Sequence, residues 1–214
     1  MKKDAEMIGV WGRRGSGKST KMRNLTQGRN RIIVVDPMEG HDYMKAGYKP
    51  VRNMQQLYKH LKQNWDTGFK VVICATANTA WGFMLELAHS LFVIQSPYKR
   101  GKDSRKITLV VDEMSICVPN KTMSDDEKKV LHLFNAGRHS GIEIIGASQR
   151  LAQVHGDFRG NTSQDFFFAQ RSHLDYTAAK QLLGNENEAK LRALGEYEYL
   201  HFKDGVATVG KDKL

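Results

Sequence analysis

Near the start of the chain stand Gly12-Arg13-Arg14-Gly15-Ser16-Gly17-Lys18-Ser19, a run that matches the pattern G-x-x-x-x-G-K-[ST] at every position. Glycines at this spacing let the backbone curl so that successive N–H groups point inward at phosphate oxygens. The apolar residues 7–11 before the run suit a buried strand, and residues 18–27 can continue as a helix. Strand, loop and helix together predict a phosphate-binding loop, with the positive end of the helix beside the ligand.

This loop predicts that the chain binds a nucleoside triphosphate. The Lys18 ammonium would reach the β- and γ-phosphates, and the Ser19 hydroxyl would ligate Mg²⁺. The predicted nucleotide-binding residues are Gly12, Arg13, Arg14, Gly15, Ser16, Gly17, Lys18, Ser19 and Thr20. The alternative is a chance glycine-rich turn before a basic helix, but it does not explain the apolar strand that precedes the loop. The predicted ligands are therefore ATP and Mg²⁺.

A second apolar strand, residues 107–111, ends in two adjacent acids, Asp112 and Glu113. In enzymes with such a phosphate loop, the first acid holds Mg²⁺ through its water shell, which predicts that role for Asp112. An acid directly after it can act as general base on the attacking water, which predicts Glu113 as the catalytic base. The alternative for this pair is a strand followed by a polar turn.

A third strand, residues 142–148, places Gln149 and Arg150 at its carboxyl end. Ligands of open parallel sheets bind outside the carboxyl ends of the strands, so a polar residue there can contact the γ-phosphate or its attacking water. A cap of the next helix is the alternative for Gln149. Asp36 also ends a strand, residues 31–37, but an Asp-Pro turn explains it and we assign it no catalytic role.

The 214 residues, of which 40% are hydrophobic, predict one α/β domain spanning 1–214, with C-terminal helices and a hairpin at 174–210 as an appendage. A net charge of +10 favours a polyanionic partner, although a merely basic protein is the alternative. No apolar run approaches the roughly 20 residues that span a bilayer. Residues 1–6 do not resemble a signal peptide. We therefore expect a soluble intracellular protein.

The remaining patterns predict the elements around these motifs. The expected helices lie at 53–65, 81–94, 174–183 and 186–194, with a further helix beginning in a capping box at Ser124. The expected strands lie at 69–75 and 165–169, and a hairpin joins 197–203 to 206–209. Residues 98–106 form a basic loop. Cys74 and Cys117 are read as buried, reduced thiols.

The ordered set of the phosphate loop, Asp112-Glu113, Gly137-Arg138-His139, and Gln149-Arg150 after a strand resembles the FtsK-HerA superfamily of DNA-pumping ATPases. The short length makes the chain most similar to genome-packaging ATPases of tailless, membrane-containing viruses. The resemblance implies a P-loop NTPase fold with a RecA-like, mostly parallel central sheet flanked by helices and a C-terminal β-hairpin.

The same resemblance implies roles and partners. Lys18 and Ser19 bind phosphate and Mg²⁺, Asp112 assists the metal, Glu113 activates water and Gln149 senses the γ-phosphate. Arg138 enters the neighbouring subunit's site as an arginine finger, with Arg150 and Arg171 as competing candidates. The implied partners are double-stranded DNA, further copies in a hexameric ring, and capsid or vertex proteins. The implied location is the host cytoplasm or the virion.

Three functional hypotheses follow. The first is an ATP-hydrolysing translocase that packages double-stranded viral DNA, with a cellular or plasmid DNA pump of the same superfamily as its alternative. The second is a small-molecule kinase, whose candidate lid would be the basic loop at 98–106. The third is a nucleotide-dependent adaptor that binds DNA or a capsid and hydrolyses little.

Overall fold

The computed structural model describes residues 5–212, in which the strands form one nine-stranded sheet. The strands are β1 Met7–Trp11, β2 Arg31–Asp36, β3 Lys49–Val51, β4 Phe69–Cys74, β5 Ile107–Asp112, β6 Ile142–Ser148, β7 Gln164–Phe168, β8 Glu198–Lys203 and β9 Val206–Lys211. Their order is β3-β4-β2-β5-β6-β1-β7-β8-β9, with β1 to β7 parallel and the last two antiparallel. The predicted fold class, including the terminal hairpin, is confirmed.

The helices lie on both faces of this sheet. They are α1 Lys18–Thr26, α2 His41–Lys45, α3 Met54–Gln63, α4 Ala80–Ile94, α5 Ser96–Lys99, α6 Met114–Cys117, α7 Lys128–Ala136, α8 Gly156–Gly160, α9 His173–Leu183 and α10 Glu188–Arg192. Short 3₁₀ turns cover Gly137–Ser140, Leu151–Gln153 and Asn185–Asn187. Most predicted helices therefore exist within a few residues of their expected bounds.

Two boundaries differ from the sequence prediction. The helix expected from Ser124 begins at Lys128, and residues 125–127 form a turn instead. The Glu127 carboxylate accepts the Ser124 backbone N–H at 2.9 Å and forms an ion pair with Lys121 at 2.7 Å. One half of the predicted capping box is thus present, but it closes a turn before the helix. The basic loop begins as a short helix, α5, because Pro97 suits a first helical turn.

The alternation of side chains along each buried strand fills two cores. On β1, Met7 and Trp11 point into the core beneath α3, α4, α7 and α9, whereas Ile8 and Val10 point into the core beneath α1 and α2. All five residues of β1 are buried. Burial on both faces explains why the parallel strands read as continuous apolar runs.

The apolar helix α4 buries only one face. Met84, Leu87 and Leu91 are fully buried, but Val93 is 62% exposed. Helix α4 therefore packs into the core on one side only. Cys117 is buried as predicted, while Cys74 is only half-buried, and both are free thiols.

The terminal hairpin continues the main sheet, because β8 pairs directly with β7. The Lys21 ammonium on α1 forms an ion pair of 2.8 Å with Asp212 and lies 3.8 Å from the centre of the Tyr199 ring. The hairpin is thereby tied to the helix that follows the phosphate loop. None of the helices within 5–212 is long and apolar enough to cross a membrane, and residues 1–4 of the predicted N-terminal segment lie outside the described chain.

Candidate functional site

The phosphate loop joins β1 to α1 in the middle of the sheet. Gly15 and Gly17 have φ angles of 75° and 108°, the left-handed region that side chains disfavour. The Lys18 ammonium donates to the carbonyl oxygens of Gly12 at 2.7 Å and Arg13 at 3.0 Å. The Ser16 hydroxyl is buried and has no hydrogen-bond partner among residues 5–212. A curled loop with an unpaired buried donor fits a bound phosphate.

The first acid of the pair, Asp112, ends β5 and is half-buried. The Tyr43 hydroxyl, from α2, donates to its carboxylate at 3.1 Å. Burial, together with the negative charge of Asp36, raises the pKa of Asp112 to about 6. A half-buried carboxylate at the end of this strand is suited to a cation, so Asp112 and the Ser19 hydroxyl are the side chains that could hold Mg²⁺.

Asp36 lies at the end of the neighbouring strand β2 and serves a turn. Its carboxylate accepts the Met38 backbone N–H at 2.8 Å, as expected for an aspartate beside proline. Its own pKa is raised by burial. The residue therefore has the turn role predicted for it, and its charge also acts on Asp112.

The second acid, Glu113, adopts φ 79° and ψ 72°, an uncommon conformation for a residue with a side chain. Its carboxylate accepts the Ser148 hydroxyl at 2.5 Å, the Ser115 hydroxyl at 2.7 Å and the Gln149 backbone N–H at 3.1 Å. Ser148 ends β6, so the strand next to β5 supplies most of these donors. The carboxylate is held in one place by groups from two elements.

Lys18 and the two acids share one edge of the sheet. Burial lowers the pKa of the Lys18 ammonium, and the negative charges of Glu113 and Asp112 oppose that change. The structure therefore brings together the loop lysine and the acid pair that the sequence separates widely. Such a grouping can bind a polyphosphate and direct a water at its terminal phosphorus.

The predicted sensor Gln149 borders this cluster, whereas the candidate finger arginines have other surroundings. The Gln149 side chain is exposed at the end of β6, beside the Glu113 carboxylate that its backbone contacts. Arg138 is exposed in a 3₁₀ turn, and its Nε donates to His139 Nε2 at 3.3 Å. Arg150 Nε instead lies 3.4 Å from the buried Asp175 carboxylate, and Arg171 is exposed. Of the three arginines, Arg150 is the one held against a buried carboxylate.

The basic loop is partly neutralised within the chain. Arg105 forms ion pairs with Asp103 at 2.7 Å and Asp66 at 2.5 Å, and Lys106 lies 3.9 Å from Glu143. Lys99, Arg100 and Lys102 are exposed. Pairs that fasten the end of this loop to the body of the domain argue against its acting as a mobile lid.

Sequence reasoning missed Tyr43, Ser115 and Ser148. Ser148 carried a signal, because it is the last residue of a strand that ends beside the predicted sensor. Tyr43 carried none, since it sits in a five-residue helix with no pattern that points to Asp112. Its contact depends on how α2 packs over the sheet.

The phosphate loop, the acid pair and the parallel sheet define the fold of a P-loop NTPase. No protein-family model matches the chain, and a search of curated proteins gives no match. Among solved structures, the genome-packaging NTPase B204 of Sulfolobus turreted icosahedral virus 2, in complex with AMPPCP, is similar with a TM-score of 0.73 and 16% identity over 98% of each chain.

Two further solved structures are similar. B204, the DNA-packaging ATPase of Sulfolobus turreted icosahedral virus, matches with a TM-score of 0.73 and 19% identity over 100% of both chains. VirB4 of Thermoanaerobacter pseudethanolicus matches with a TM-score of 0.59 and 14% identity over 97% of this chain and 89% of that one. The predicted resemblance to packaging ATPases is confirmed at the level of the fold.

Proposed function

We propose that the chain is an ATPase that translocates double-stranded DNA, in the role of packaging a viral genome into a capsid. The observation that carries this proposal is the meeting of Lys18, Asp112 and Glu113 at one edge of the sheet. The similar structures include a genome-packaging NTPase in complex with AMPPCP and a DNA-packaging ATPase, which match over 98% and 100% of both chains respectively. The net charge of +10 suits a polyanionic substrate.

In the proposed reaction, residues 12–20 bind the phosphates of ATP, and Lys18 turns from its loop carbonyls to the β- and γ-phosphates. Mg²⁺, held by Ser19 and Asp112, would supply positive charge against the phosphate oxygens. The Glu113 carboxylate accepts a proton from the water that attacks the γ-phosphorus, and Ser148 fixes its position. Gln149 contacts the γ-phosphate or this water.

Lys18 is the positive charge that this chain places near Glu113, and an arginine finger would add a second one. Exposed Arg138 would supply it from a neighbouring subunit, which makes hydrolysis depend on assembly. We therefore propose a homo-oligomeric, hexameric ring with DNA in a central channel. Capsid or vertex proteins, in the host cytoplasm or the virion, are the proposed further partners.

The test is phosphate release from ATP over a range of protein concentrations, with and without linear double-stranded DNA. The rate per subunit is expected to rise with both, and Glu113→Gln is expected to abolish it. Hydrolysis by a strict monomer that ignores DNA would contradict the proposal. Transfer of phosphate to a nucleoside or metabolite instead of water would identify a kinase.

A further inference from the structure

A polar cavity of about 280 Å³ opens beside the phosphate loop, away from the acid pair. Loop residues 13–16 form one wall, residues 195–198 form the other, and Ala169 lies between them. Arg13, Arg14 and Gly15 are exposed there, and the buried Ser16 hydroxyl belongs to the same wall. Neither the phosphate motif nor the acid pair accounts for the wall at residues 195–198.

The strand order places this cavity at the opposite end of the phosphate loop from the acids. Glu113 follows β5, which lies on one side of β1, whereas residues 195–198 lead into β8 on the other side. A triphosphate whose last phosphate faces Glu113 would therefore direct its first phosphate, and the group attached to it, towards the cavity. This step rests on the proposed function, because it takes the polyphosphate to be that of a nucleotide.

Tyr197 is fixed in this wall in an unusual conformation. Its φ of 61° lies in the left-handed region, which non-glycine residues seldom occupy. The adjoining turn is closed by the Glu198 carboxylate, which accepts the Gly195 N–H at 2.9 Å. The half-buried ring lies against the phosphate loop, since a Cβ on Gly17 would come 3.4 Å from its Cδ1. Strained residues held by their surroundings cluster at ligand sites.

We propose that residues 195–198 and the outer face of the phosphate loop form the nucleoside subsite, in which the Tyr197 ring stacks on the base. An aromatic ring at a fixed place is a suitable platform, because every base has a π face. The carboxylate of exposed Glu196 offers acceptors to ribose hydroxyls or to an amino group of the base. The subsite would hold the nucleoside end of ATP while Lys18 holds the phosphates.

The test compares the affinities of ATP and inorganic tripolyphosphate, measured by titration calorimetry in Mg²⁺, for the parent and for Tyr197→Ala, Tyr197→Phe and Tyr58→Ala. Tyr58 is an exposed tyrosine on α3 and serves as the matched control. Tyr197→Ala should lower the affinity for ATP about 10-fold or more and leave the affinity for tripolyphosphate unchanged. Tyr197→Phe and Tyr58→Ala should bind ATP like the parent.

Three outcomes would overturn the subsite. One is a Tyr197→Ala protein with the parent's affinity for ATP. Another is an equal loss of affinity for ATP and tripolyphosphate in Tyr197→Ala, which would make the ring a support for the loop. The third is a parent protein that binds tripolyphosphate as tightly as ATP, which would leave no contribution from the nucleoside. A parent that binds neither compound would instead contradict the proposed ATPase function, so the two failures are distinct.

Discussion

The Ser148 hydroxyl donates a hydrogen bond of 2.5 Å to the carboxylate of Glu113, joining the ends of two adjacent strands. Ser148 is fully buried, and its oxygen also accepts the Arg150 backbone N–H at 3.0 Å. A buried hydroxyl with two partners cannot turn freely. It therefore fixes the direction in which the proposed general base faces the nucleotide.

Removal of this hydroxyl tests its positioning role. Ser148→Ala should lower kcat for ATP hydrolysis about 10-fold, because a hydrogen bond to a charged group contributes roughly 1.5 to 3 kcal/mol. The affinity for ATP, measured by titration calorimetry, should stay at the parent value. Ser90→Ala is the matched control. Ser90 lies on α4 and donates a hydrogen bond to the Glu86 backbone carbonyl, and its replacement should change neither kcat nor the affinity for ATP. An unchanged kcat in Ser148→Ala would refute this role.

Substitutions of the two acids should have different effects on ATP hydrolysis and ATP binding. Glu113→Gln should reduce kcat by about 100-fold or more and retain ATP binding, because the amide cannot accept the water's proton. Asp112→Asn should weaken binding of ATP in Mg²⁺ while affecting binding in EDTA less. Phosphate release and calorimetry separate the two effects. Hydrolysis by Glu113→Gln at the parent rate would favour the adaptor hypothesis.

The finger can be located by mixing inactive variants. Arg138→Ala keeps an intact Glu113, and Glu113→Gln keeps an intact Arg138, so a mixed ring should regain hydrolysis that neither protein has alone. The loss in Arg138→Ala alone should be about 1000-fold or more. Arg171→Ala is the matched arginine control and should retain activity. If mixing restores nothing while Arg171→Ala is inactive, Arg171 is the finger.

The buried carboxyl group of Asp165 predicts how the free energy of unfolding changes with pH. It is buried beneath Trp11, whose indole N–H donates to it at 2.8 Å, and burial raises its pKa from 3.8 to about 6. Between these values the folded state holds a proton that the unfolded state has lost. The contribution of Asp165 to stability therefore falls as pH rises through this window, by on the order of 3 kcal/mol in total.

Asp165→Asn removes that dependence and keeps an oxygen for Trp11. At pH 8 its free energy of unfolding in urea should exceed the parent's by about 1 to 3 kcal/mol, and the difference should shrink towards pH 5. Asp204→Asn, in the exposed turn between β8 and β9, should match the parent at both values. A constant difference between Asp165→Asn and the parent would show that the charge is not responsible.

Local patterns determined the fold class and the chemical parts of the site. The phosphate loop is contiguous, and Asp112 and Glu113 are neighbours in the chain. Both motifs can therefore be recognised without any knowledge of tertiary contacts. Continuous apolar runs predicted the parallel strands, because a strand buried on both faces has no polar side to alternate. Helix α7 begins at Lys128, later than predicted: the contact of Glu127 with Ser124 closes a turn, and the S-x-x-E spacing is the same for such a turn and for a helix start.

Only the tertiary structure decided what surrounds those parts. Ser148 is 35 residues from Glu113 and Tyr43 is 69 residues from Asp112, and each pair meets because of strand order and helix packing. Tyr197 reaches the phosphate loop because β8 returns beside β7, close to β1. Motif spacing identifies functional residues that lie within one short segment of the chain. The contacts between distant segments depend on how the whole sheet assembles, and they fix the orientation of Glu113 and the wall of the cavity.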